Sequence, residues 1–216
     1  MKRIYPYQFA IAGCALLFSS ISLFPVLGTY AAFFKSHIVS FALTGLLGST
    51  FSSGLYIAMK LVLTGFGAGL KHALLRHAAS IITMFVWRSK TFEIATFVAC
   101  ACAFILHPMG AHISLYTFHW IIPIALIVIS RRSLFINSLI YSYLLHACGS
   151  VIWLYTKSIA LTHWIFLTLN PLVIGERIAL AASITICYYM ITFAQNIVAK
   201  RFRLKAANKR FMYRKA

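Results

Sequence analysis

The sequence predicts an all-α, polytopic integral membrane protein with about six transmembrane helices and both termini cytoplasmic. Three observations carry that expectation. Hydrophobic residues make up 62% of the chain and charged residues only 10%, with a mean hydropathy of +0.87, whereas soluble domains carry roughly 25% charged residues. Apolar runs recur along the chain, several of them reaching the roughly 20 residues that a helix needs to cross a bilayer. The 20 Lys and Arg, set against only 2 Asp and Glu, gather between particular runs, and a cytoplasmic excess of basic residues orients such helices. The expected organisation is one transmembrane domain over 1–199 and a basic cytoplasmic tail over 200–216. The formal charge of +18 is read as topology and lipid-headgroup contact, which makes the bilayer a partner and argues against nucleic acid.

The first expected span, 8–28, follows Lys2 and Arg3 and is read as a retained signal anchor running outward. A short external connection carrying Lys35 leads to the second span, 37–59, where Gly45, Ser49 and Ser53 line one helical face as a packing seam. Residues 60–90 are harder to place. Two short apolar pieces, Leu61 to Leu70 and Ala78 to Trp87, flank Lys71, His72, Arg76 and His77. A continuous span would set two cations near mid-bilayer, so interfacial or re-entrant helices bent at Gly65, Gly67 and Gly69 are expected. A buried cationic site for an anionic substrate is the alternative. The remaining spans are expected at 91–106, 112–130, 134–156 and 171–199, with His163 and Trp164 in an external loop before the last. All Lys and Arg except Lys35, Lys157 and Arg177 then fall on the cytoplasmic side. A seventh span through 61–87 would move Arg131 and Arg132 outside, against that bias.

The polar residues worth attention cluster around the reversal His107-Pro-Met-Gly-Ala-His112 and the helix after it. His112, Tyr116, His119 and Pro123 recur at spacings of four, three and four, which places them on one helical face. His146, Ser150 and Trp153 form a second stripe, and Glu176, Ser183 and Cys187 a third. With Trp120 and His107 added, the candidate ligand-binding residues are His107, His112, Tyr116, His119, Trp120, His146 and Glu176. They are expected to line a pocket opening to the outside. Intramembrane ionisable groups mark functional sites because exposing them to lipid is costly. Each histidine also has a plainer use, hydrogen bonding to a carbonyl, a headgroup or water.

Neutral imidazoles bind transition metals, and His119 with His146 resembles a haem ligand pair only in residue type. Aromatic contacts and a few hydrogen bonds to a small organic molecule fit the residue mix better, and no cofactor is assigned. The five cysteines, Cys14, Cys100, Cys102, Cys148 and Cys187, lie in apolar runs without disulfide or zinc spacing. The chain contains no Asp, no Gly-x-Ser-x-Gly elbow and no Walker loop. It is not expected to be an enzyme.

The length of 216 residues, the six expected spans, the alanine-rich opening from Phe9 to Ala15, and prolines near span ends at Pro108, Pro123 and Pro171 together resemble the substrate-binding subunits of energy-coupling-factor vitamin transporters. That resemblance implies capture of a small solute from outside and docking of the first helix on a coupling subunit driven by separate ATPases. Ala10, Ala12 and Ala15 depart from the regular alanine spacing of such a docking helix. The expected function is therefore capture and transport of a small solute across the inner membrane. The rival expectation is a membrane assembly or scaffold protein whose basic tail binds lipid or a cytoplasmic partner.

Overall fold

The computed structural model describes residues 22–24, 34–35, 55, 57–59, 61–63, 65, 70–86, 89–129, 133–156, 161–162, 165 and 172–213. Among them are seven helices and one small hairpin of two antiparallel strands, β1 (Ser22–Phe24) and β2 (Phe34–Lys35). Ser22 pairs with Lys35 and Phe24 with Phe34, so the end of the stretch read as the first span is extended there. The rest of that span, most of 37–59, Gly67 and Gly69, and the loop residues His163, Trp164 and Asn170 lie outside the described residues.

Helix α1 (Leu70–Val86) runs unbroken through the positions of Lys71, His72, Arg76 and His77. The cluster read as a separator between two apolar pieces is thus the first half of a single helix. Alanine and leucine dominate that half, and both are strong helix formers. His77, Ser80 and Thr83 are buried along it, three residues apart, and Thr83 Oγ1 turns its proton back onto the Ala79 carbonyl, 2.7 Å away.

Helix α2 (Lys90–Leu106) begins after Ser89, whose extended backbone lets its carbonyl take the Glu93 N–H at 2.8 Å. Glu93 sits in the first turn, where the partial positive charge of the helix end favours a carboxylate. The helix stops at His107 for a covalent reason: the ring of Pro108 disfavours helical backbone in the residue before it, and His107 is extended at φ −75°, ψ 133°. Pro108 then opens the short helix α3 (Pro108–His112), its missing N–H costing nothing at a first helical position. Gly110 allows the chain to fold back this tightly, since a Cβ there would overlap the Phe104 carbonyl and approach Leu154 Cδ2 to 3.2 Å.

The fourth expected span is not one regular helix. Ile113, at φ −124° and ψ 32°, ends α3. Ser114–Trp120 then winds as a tighter 3-10 helix, and α4 (Ile121–Ile129) continues it. Pro123 lies in the first turn of α4, where a proline is tolerated.

Helix α5 (Leu134–Thr156) is the hub, packing against α1, α2, α4 and α6 (Leu172–Tyr213). Residues 138–145 are buried without interruption, as expected of a helix surrounded by others. Its seam with α6 uses small residues. Ser138, Ser142 and Ala181 are fully buried, and Ser142 Oγ donates to the Arg177 carbonyl across the seam at 3.2 Å. Small side chains let two backbones approach closely where lipid supplies no hydrophobic drive. Against α2, the same helix brings Cys148 Sγ within 3.9 Å of Cys100 Sγ.

Among the described residues, many large apolar side chains face outward. Phe85 on α1, Leu106 on α2, Ile129 on α4 and Phe193 on α6 are each more than two-thirds exposed, a pattern that soluble monomers avoid over large areas. Among the described residues, two stretches, Leu134–Thr156 and Val173–Met190, are long and apolar enough to cross a membrane. Helix α6 extends well beyond the second of these, reaching Tyr213 as one 42-residue helix that includes the basic positions from Lys200 to Arg210.

Candidate functional site

The buried residues from α3 to α4 are Gly110, Ile113, Tyr116, Trp120, Pro123 and Ile127. This stripe turns Tyr116 and Trp120 inward, each 1% exposed, and leaves His112 on the surface. The expected shared face of His112, Tyr116, His119 and Pro123 assumed one continuous α-helix. The break at Ile113 and the tighter winding after it rotate His112 away, while His119 stays half-buried beside Tyr116.

Tyr116 is the centre of the cluster. Its Oη lies 2.7 Å from His146 Nε2 and 3.1 Å from Ser150 Oγ, so two residues one turn apart on α5 meet one hydroxyl. Its ring stacks on Phe104 of α2 at 5.2 Å and 23°. His119 and Trp120 meet it edge-on, with centroids 5.7 and 6.0 Å away, and Trp120 also packs edge-on against Phe104 at 5.7 Å. Such edge and offset contacts place the positive rim of one ring on the negative face of another. Trp120 Nε1 is buried and has no hydrogen-bond partner among the described residues.

Helix α6 contributes a residue that the sequence reading did not select. Val173, Arg177, Leu180, Ala181 and Ile184 are buried, a helical stripe with an arginine in it. The side chain of Arg177 is 5% exposed, and its Nη2 meets Glu176 Oε2 at 3.2 Å. Arg177 acts electrostatically on the Tyr116 and Tyr143 hydroxyls and on His146, so Glu176 enters the site as the arginine's neighbour. The signal was available in the spacing 173, 177, 180, 184, which sets Arg177 on an apolar stripe. Counting it as a charge at an outer helix end concealed that.

His107 has a different task. Its Nδ1 accepts the Met109 N–H at 3.2 Å and caps α3, while its ring lies edge-on to Tyr155 at 4.8 Å. Tyr155 in turn donates to the Ala103 carbonyl at 2.8 Å, so this end of the reversal is a structural clamp. Of the seven candidate residues, Tyr116, His119, Trp120 and His146 come together with Ser150. Glu176 reaches them through Arg177, and His107 and His112 stand apart. No group of three or more His, Cys, Asp or Glu suited to a metal ion occurs among the described residues.

Helices with an apolar exterior around a hydrogen-bonded aromatic cluster define the class as a helical, membrane-associated protein. No protein-family model, curated protein or solved structure matches this chain.

Proposed function

We propose that this protein captures a small solute and carries it across the inner membrane, with the binding site built around Tyr116, His119, Trp120, His146, Ser150 and Arg177. One observation carries the reading: three elements that need only pack in lipid, the 3-10 helix, α5 and α6, instead send polar and ionisable side chains to one place. The Tyr116 hydroxyl joins His146 and Ser150 there, and a buried guanidinium lies within electrostatic reach. Burying a guanidinium is expensive, and intramembrane ionisable groups are accordingly functional by default. His119, His146 and Glu176 are only half-buried, which gives the cluster an edge that a solute can approach. In this reading the chain crosses the membrane about six times with both termini cytoplasmic, and a coupling subunit with ATPases is the partner that would supply energy. The resemblance to energy-coupling-factor binding subunits supports such a partner.

The rival reading is an assembly or scaffold protein. The continuous helix α6, which carries basic residues far past the apolar segment, favours it. The two separate on co-purification. Native mass spectrometry of the full chain, released from lipid nanodiscs, is expected to find a small organic molecule bound to the parent protein and lost from Tyr116→Phe. An empty parent protein that pulls down a cytoplasmic partner through its tail would refute solute capture.

A further inference from the structure

Among the described residues, two cysteines meet. Cys100 on α2 and Cys148 on α5 are 48 residues apart in the chain, yet their sulfurs lie 3.9 Å from each other, both as free thiols. Both are buried in the apolar cluster that includes Phe97, Phe104, Leu144 and Ala147. The contact has a direction. Thr83 of α1 gives its proton to the Ala79 carbonyl, which leaves its oxygen as an acceptor, and the Cys148 thiol lies within hydrogen-bond reach of it. Cys100 in turn donates to the Cys148 sulfur. The Cys148 proton is thereby drawn away from Cys100, and a Cys148 lone pair is left facing the Cys100 sulfur. A single buried cysteine serves ordinarily as a small apolar side chain. Two in contact can also exchange electrons.

We propose that Cys100 and Cys148 are a reversible dithiol–disulfide pair that ties α2 to α5 and is oxidised by a lipid-soluble quinone. Two S–H bonds break and one S–S bond forms, while the two electrons and two protons reduce the quinone to its quinol. Thiols and disulfide are both uncharged, so the exchange leaves no net charge in the apolar core, where a charge would be costly. The sulfurs need only close from 3.9 Å to about 2.0 Å. The class of oxidant follows from the surroundings. Cys100 keeps 9% exposure against 3% for Cys148, and the exposed side chains near it on α2 include Val98 and Ile105, an approach suited to an apolar oxidant and not to a charged, water-soluble one. The tie falls one turn before Phe104 on α2 and between His146 and Ser150 on α5, so oxidation fixes how the aromatic wall and the polar residues of α5 face each other. It stands independently of solute capture.

The test uses the full chain in nanodiscs, reduced and kept free of air, then treated with decylubiquinone. Thiols are counted by alkylation after unfolding, and peptides are mapped by mass spectrometry. The expected result is the loss of two of the five thiols, a linked peptide joining positions 100 and 148, one quinol per disulfide, and full recovery with dithiothreitol. The oxidised protein is expected to unfold about 4–16 °C above the reduced one. Cys102→Ser, which removes an exposed thiol, is expected to behave as the parent, whereas Cys100→Ser and Cys148→Ser each keep every remaining thiol. Unfolding temperatures in the reduced state report whether these variants fold, and the count on the parent chain decides the matter without them. Glutathione disulfide is expected to leave the pair reduced. Survival of all thiols under decylubiquinone, a link between other cysteines, or oxidation as fast by glutathione disulfide would overturn the proposal.

Discussion

The Tyr116 hydroxyl is the most economical place to perturb the cluster, because Tyr116→Phe deletes one oxygen and keeps the ring stacked on Phe104. Two hydrogen bonds go with it, at 2.7 Å to His146 and 3.1 Å to Ser150. Side-chain hydrogen bonds average about 0.6 kcal/mol in membrane helices and about 1 kcal/mol in soluble proteins. The pair is therefore worth about 1–2 kcal/mol, which for a chain of this size lowers the unfolding temperature by about 2–8 °C. Thermal unfolding in detergent, followed by circular dichroism, measures that directly. A double-mutant cycle with Ser150→Ala isolates the second bond, since contacting residues show coupling of about 0.5 kcal/mol or more. Single variants that add to within about 0.3 kcal/mol, or a Phe variant as stable as the parent, would refute the hydrogen-bonded centre.

Gly110→Ala forces a Cβ onto the Phe104 carbonyl and is expected to cost at least about 1–3 kcal/mol, read as a fall in unfolding temperature. An unchanged value would mean that the chain reverses differently. Glu176→Gln leaves the buried Arg177 without its carboxylate. The expected loss is less than the about 3–5 kcal/mol of a fully buried pair, because Glu176 retains 18% exposure. Adding Arg177→Met is expected to recover part of that loss, and a double variant weaker than Glu176→Gln alone would contradict the pairing. For topology, Ala111→Cys in a cysteine-free background places a thiol on the exposed side of the reversal. An impermeant maleimide is expected to label it in intact cells, and labelling only after the membrane is opened would reverse the proposed orientation.

How much of this was legible in the sequence differs from element to element, for physical reasons. The bounds of α5 were readable because Arg131, Arg132 and Lys157 bracket one apolar run, and the end of α2 because Pro108 constrains His107. The switch to 3-10 winding after Ile113 was not readable. No glycine or proline marks it, and backbone geometry set by packing under α2 has no local sequence signature. Tyr116, Trp120 and His146 were selected for their chemistry and do meet. His112 was placed among them by assuming one unbroken helix. Arg177 was overlooked because an isolated arginine at a span end has two meanings, topology and burial, and only its position on the Val173–Ile184 stripe separates them. The length of α6 escaped for a similar reason: hydropathy registers where apolar residues cease, whereas Lys, Arg and Ala continue a helix readily.

That length has a mechanical consequence. Helix α6 contains Arg177 near one end and runs without proline to Tyr213. At ~1.5 Å per residue the stretch between them measures about 54 Å. Pivoted at Arg177, a tilt of about 10° would swing the far end by about 9 Å over that length. Arg177 and the stretch from Lys200 to Arg210 lie on one continuous helix, so a tilt about Arg177 would be read out, magnified, at that stretch.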